Sequence, residues 1–130
     1  MENRFQITNE QGQTMTEFAL VLPVLALLLF GVIQFGITFN NFVTLTDATR
    51  AGARKAAVAR RLSDPRGACI TALRSSATDL DQSKLIPDCQ SDWTPGSDVR
   101  VTATYPYSIS LLGMVVKSGR LTSTTTERVE

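Results

Sequence analysis

The sequence predicts an α+β fold: a long N-terminal apolar helix continuing into an amphipathic helix, then a small disulfide-linked antiparallel β domain. Three observations carry that expectation. The chain is almost purely apolar between Phe18 and Phe39. An Ala-rich, Arg-containing stretch follows with only one helix breaker, Gly52, before Leu62. Beyond it, alternating and β-branched runs lie between Pro- and Gly-containing loops, and the two cysteines, Cys69 and Cys89, both fall in this part.

The apolar run, FALVLPVLALLLFGVI from Phe18 to Ile33, holds no polar side chain, and only Gln34 and Thr38 interrupt it before Phe39. A stretch of about 22 residues suffices to cross a bilayer core of about 30 Å as a helix. It carries no charge, which would be costly at the bilayer centre. A buried helix of a soluble fold is disfavoured, because too little other core exists to surround it. A cleaved secretory signal is disfavoured as well. Its apolar region is shorter, and Thr38-Phe39-Asn40-Asn41 is a poor cleavage site. Pro23 cannot donate to the carbonyl of Ala19, so a local loosening of the helix is expected there. Gly31 and Gly36 are positions where another helix can approach closely.

After Phe39, Asn40 and Asn41 weaken helix locally, and the Ala-rich run restores it. Ala48, Gly52, Ala56 and Ala59 make a small-residue stripe suited to close helix contact. Arg50, Arg54 and Arg61 lie opposite, with Asp47 one turn before Arg50. Helix from Met15 to Arg61 is about 70 Å long at 1.5 Å per residue. The basic residues after the apolar run are either a solvated face or a contact for anionic head groups. They have no interleaved aromatics and the net charge is only +1, so nucleic acid is not an expected partner.

In the last half, Asp64-Pro65-Arg66-Gly67 reads as the turn ending the long helix. Ala68 to Leu80 suits a short helix with Ala72, Leu73, Ala77 and Leu80 inward. Pro87 and the run Trp93 to Asp98 mark loops, with Trp93 as a cover for the sheet. Val99 to Tyr105 alternates as a half-buried strand does, and Leu121 to Val129 fits an edge or solvent-facing strand. Ile109 to Val116 is either a strand or a loop covering the sheet. The expectation is a sheet of two to four strands.

A domain this small buries little core and needs a staple or a partner. Cys69 and Cys89 are the only pair, and no metal-ligand partners accompany them, so a disulfide is expected, against the alternative of two unrelated thiols. The bridge would add about 3 kcal/mol by the chain-entropy argument. It would imply an oxidising compartment.

Chemistry has little foothold. The chain has no histidine, which removes the commonest general base and metal ligand. Serine and threonine are plentiful but lack that activator. The aspartates are scattered without calcium-loop spacing, and the glycines are isolated, so no phosphate cradle is expected. No enzyme activity, cofactor or metal site is expected.

The junction before the apolar run narrows the reading. A polar stretch, MENRFQITNEQG, ends at Gly12; QTMTE follows, then the apolar run. This resembles the type IV prepilin arrangement of a polar leader, a glycine before the cut and a glutamate at the fifth mature position. Further on stand Glu17-Phe18-Ala19, Pro23, Gly31 through Gly36 and the segment Arg50 to Arg54. With these residues the first half resembles the TadE-like pseudopilins of tight-adherence (Tad) pili, whereas the C-terminal part fits loosely. Gln34 stands where that family often has an acid.

The resemblance implies a leader at 1–12, a transmembrane helix at 13–40, an amphipathic extension at 41–62 and a globular domain at 63–130. It implies cleavage by a prepilin peptidase after Gly12, leaving Gln13 as the new N-terminus. Glu17, a carboxylate at the edge of lipid, would pair with that amine on a neighbouring subunit and set the register of assembly; the plainer alternative is a Glu that complements the helix dipole. Other pilin subunits, the assembly platform and membrane lipid along residues 18–39 are the implied partners. The implied location is the bacterial inner (cytoplasmic) membrane, single-pass with the domain outside, and then the extracellular pilus.

The positive-inside rule points the other way. Arg50, Arg54 and Lys55 outweigh Arg4 and the terminal amine. The cysteines and the resemblance decide for the outward orientation. The function expected is therefore a minor pilin-like structural subunit. Its alternative is a permanently anchored partner-binding protein that keeps its leader, and an enzyme subunit supplying only an anchor is a distant third.

Overall fold

The computed structural model describes the backbone of residues 10–130 and the side chains from Gly12 onward. Most of the expected leader lies outside the described residues. Helix α1 spans Glu10–Ala57 and α2 spans Pro65–Ser75. Strands β1 (Ile86–Gln90), β2 (Asp98–Leu111) and β3 (Met114–Arg128) form one antiparallel sheet in the order β1-β2-β3. The molecule is α+β, as the sequence predicts.

The 48 residues of α1 make a rod about 72 Å long at 1.5 Å per residue. Its first two-thirds carry apolar side chains that nothing in the chain covers. Its last third is the spine of the domain. There Leu45, Ala48, Ala53 and Ala56 are fully buried against Cys69 and Leu73 of α2 and Val99, Val101 and Ala103 of β2. A helix face of alanines has little bulk of its own, so α2 and the sheet come in close to reach it.

The helix stops at Ala57, short of the expected end at residue 61 or 62. No glycine or proline forces this. The amide of Glu130 donates to the carbonyl of Ala57 at 2.9 Å, satisfying one of the acceptors a helix end leaves open. Ala59 then folds back into the interior, fully buried, through a bond from its amide to the carbonyl of Ala56. The C-terminal residues thus cap the long helix, a long-range contact that local propensity does not encode.

Asp64-Pro65 corrects a second expectation, since it starts α2 rather than merely ending α1. The Asp64 carboxylate accepts from the amide of Gly67 at 2.8 Å, with Pro65 in the first turn. An aspartate cap followed by proline is what a helix N-terminus favours. The helix ends at Ser75, and Ala77 and Leu80 reach the core from the turns beyond it.

Pro87 lies in a strand, not in a loop. β1 is an edge strand, where a missing donor is tolerated on the outward side. Cys89 of β1 forms the disulfide with Cys69 of α2 across 20 residues of sequence. Trp93 packs against the core cluster in a partly buried position.

Val99, Val101 and Ala103 point inward along β2, while Thr102 pairs with Thr124 of β3 on the outer face, oxygen to oxygen at 3.1 Å. Beyond Tyr105 both strands leave the core. β1 ends its pairing at Ile86 opposite Thr104, but β2 and β3 continue to Leu111 opposite Met114. Ile109 to Val116 is thus the end of a projecting hairpin, not a cover for the sheet. The ring of Tyr107 lies over Gly119 on the opposite strand.

Candidate functional site

Two surfaces meet on α1, and neither is a catalytic cleft. The first is the apolar half of the helix. Phe18, Leu22, Val32 and Phe35 are largely exposed, as are their neighbours around the whole circumference, and the most apolar stretch has no residue buried in the chain. A helix apolar on every side is suited to lipid or to other helices. It is long and apolar enough to cross a membrane.

At the start of this surface the side-chain amide of Gln13 donates to Glu17 Oε1 at 3.0 Å, and the Thr16 hydroxyl donates to the carbonyl of Gly12 at 2.9 Å. Gly12, Gln13 and Glu17 therefore share one stretch of exposed helix, with Gln13 and Glu17 one turn apart on the same face. Helix runs through Gly12 without interruption. Gly31 and Gly36 are open, with nothing near the position a Cβ would take. Phe35 and Phe39 stack with ring centroids 6.2 Å apart. The hydroxyl of Thr38 donates back to the carbonyl of Gln34 at 3.0 Å, so the helix itself satisfies that polar group.

The second surface is the small-residue face of α1, and the chain fills it. A Cβ on Gly52 would lie 3.2 Å from Leu73 Cβ and 3.4 Å from both the carbonyl of Cys69 and Val101 Cγ1. Ala48 and Ala56 are fully buried beside it. The close contact these residues permit is with the chain's own α2 and β2. Arg50 faces away and pairs with Asp47 at 3.5 Å, with both side chains well exposed. Such a pair contributes little to stability.

One feature of this face has no signature in the sequence. Thr49 is fully buried, and its hydroxyl has a single proton, which goes to the carbonyl of Thr46 at 2.8 Å. It therefore accepts from Ser123 at 3.2 Å and Thr125 at 3.0 Å. Three hydroxyls from distant segments close one network. Only the period-two spacing of Ser123 and Thr125 hinted that the polar face of β3 turns inward at this point.

The arrangement is a helical stalk with an uncovered apolar half, carrying a small disulfide-linked head: the shape of a pilin-like subunit. Residues 12–54 match the TadE-like protein family. That match takes in the junction, the apolar half and the Gly-Ala-Arg segment, and in this third of its length the chain is TadE-like. The comparisons with curated proteins and with solved structures return no match. The head, from α2 onward, lies outside the family match.

Proposed function

We propose that the chain is a minor pilin-like structural subunit, cut after Gly12 by a prepilin peptidase and taking part in assembly or initiation of a tight-adherence type pilus. It has no enzymatic role. The observation that carries this reading is the TadE-like match over a helix whose apolar half has no partner within its own chain. Lipid covers that half before assembly, and the helices of other subunits cover it afterwards.

In the membrane the chain is single-pass in the bacterial inner membrane, with the head outside. The Cys69–Cys89 disulfide supports that side, since such bonds persist in oxidising compartments. The basic residues beyond the apolar run weigh less against it than their number implies. Arg54 and Lys55 lie on α1 where it is packed into the head, and folded domains translocate largely regardless of charge.

Glu17 is the register-setting group. Removal of the leader frees an amine at Gln13, and a carboxylate held in an apolar bundle needs such a cation. The alternative, a permanently anchored partner-binding protein, would use its Ala-rich helix for the partner. That face is enclosed by α2 and β2, which counts against it.

The Glu17→Ala variant tests the assignment. Its leader should still be removed, while the protein stays in the membrane fraction and is lost from sheared filaments. Normal incorporation into filaments would overturn the role given to Glu17.

A further inference from the structure

The β2–β3 hairpin carries an apolar end that the head does not use. Leu112, Met114, Val115 and Val116 stand exposed, Leu112 at 77 %. The turn makes this end stranger. Leu112 has φ +51° and Gly113 φ +83°, the backbone of a two-residue type I′ turn. Asn-Gly or Asp-Gly is the favoured pair there, and a bulky side chain in the left-handed region is an outlier. The hairpin accepts that strain while placing a leucine at its apex, where turn geometry alone calls for a small polar residue.

The hairpin also points along α1 toward the apolar half. Val101 lies against Gly52. Further on, Tyr107, Ser118 and Gly119 face Ile37, Thr38 and Asn41 across a shallow cleft. Between these two levels the helix advances by 14 residues, about 21 Å, and the strand by six, about 20 Å. Strand and helix therefore run side by side. Five more strand residues, about 17 Å, bring the apex level with the neighbourhood of Leu27, inside the apolar run.

We propose that the hairpin end, residues 111–116, is a second membrane contact that seats the head on the lipid leaflet it faces. The inference rests on α1 spanning the membrane. The occupant is acyl chain and head group, because the patch is continuous in level with the helix surface that lipid covers. Lys117 and Arg120 follow directly, both exposed on β3, where their stems reach past apolar groups and their charges stay among head groups. Depth is limited by the backbone. Beyond Thr104 the outer edge of β2 has no strand partner, and β3 is an edge throughout. Unpaired peptide groups do not enter hydrocarbon. The hairpin is therefore a wedge in the interfacial layer, with its strands above it.

The test uses the full chain in vesicles of phosphatidylethanolamine and phosphatidylglycerol. An environment-sensitive fluorophore is placed on Val115→Cys, on Leu25→Cys in the helix or on Thr124→Cys in the head, with quenching by lipids brominated along the acyl chain and by aqueous iodide. The expected result is bromolipid quenching at positions 25 and 115, shallower at 115, and iodide quenching alone at 124. Adding Leu112→Asn to the Val115 reporter should weaken its bromolipid quenching while the hairpin stays folded, because asparagine suits the turn better. Quenching at 25 but iodide access at 115 would overturn the wedge and leave the anchor standing. Lack of lipid quenching at 25 would overturn the anchor itself. Protection of 115 from iodide only where subunits associate, with no bromolipid quenching, would assign the patch to protein contact and overturn the proposal.

Discussion

The two ends of α1 use small residues to opposite effect. Gly52 is enclosed, with Leu73, Cys69 and Val101 all within 3.4 Å of where a Cβ would stand. Gly31 and Gly36, on the same continuous helix, have nothing within 4 Å. A glycine permits close approach in both places, but only in the head does the chain supply what approaches. The difference separates the stability of the subunit, built around the last third of the helix, from its association, which the first two-thirds leave to lipid and to other helices. A substitution can therefore be sorted by which end it touches before its size is considered.

The sharpest way to break this comparison is through the core. Leu73→Ala should cost about 2–5 kcal/mol, the usual range for truncating a buried leucine. The readout is denaturant unfolding of the full chain in detergent, followed by the fluorescence of the single tryptophan, Trp93. Gly31→Leu and Gly36→Leu should leave the same unfolding midpoint unmoved and lower incorporation into filaments instead. A destabilised head in either glycine variant would refute the separation.

Cys69→Ser comes next, at about 3 kcal/mol from loop-closure entropy. The reduced wild-type protein should match it. If the variant unfolds like the oxidised protein, the bridge contributes nothing to the head.

Thr49→Val removes the acceptor shared by Ser123 and Thr125. One satisfied buried hydroxyl network becomes two donors in search of partners, and a loss of about 1–2 kcal/mol is expected in the same unfolding assay. A neutral result would mean that water replaces the threonine oxygen.

The smallest effect concerns pH. The Ser83 hydroxyl donates to Asp81 at 2.6 Å and the Ser83 amide at 3.0 Å, with Lys84 at 3.3 Å. The Ser83 side-chain bond foremost, then the Ser83 amide, with Lys84 adding to them, holds the carboxyl below the ordinary aspartate range. A depressed folded-state pKa contributes stability above the unfolded-state value and loses it as pH falls through the folded one. The turn from Asp81 to Leu85 should therefore loosen only in acid. Carbon-13 titration of the Asp81 carboxyl should give a midpoint lower than in an unstructured peptide. A midpoint at or above the peptide value would contradict the assignment. The group is exposed, so the global midpoint of unfolding should barely move.

Much of this architecture is legible from local pattern. The uncharged run from Phe18 to Ile33 marks the apolar helix, the alternation from Val99 to Tyr105 marks the core of β2, and a lone pair of cysteines marks the staple. What local pattern misses is decided at long range. The helix ends at Ala57 because Glu130 bonds to it, and Pro87 sits in a strand because β1 is an edge. The hairpin reads ambiguously because an unbroken apolar run such as Ile109 to Val116 has no period. Asp64-Pro65 was visible as a helix start, and its cap signal competes with an equally good turn reading. Of the surface residues, Gly12, Gln13 and Glu17 stand out only through the prepilin-like junction, since their exposed helical setting resembles that of any surface helix.

The account turns on whether the leader is removed. Peptide mass spectrometry of the N-terminus, on protein purified from membranes, tests this most directly; chemical sequencing is less suitable because an N-terminal glutamine cyclises and blocks it. The account expects a mature chain beginning at Gln13, with or without modification of that residue. An intact chain beginning at Met1 would contradict it and leave a permanently anchored protein as the better description.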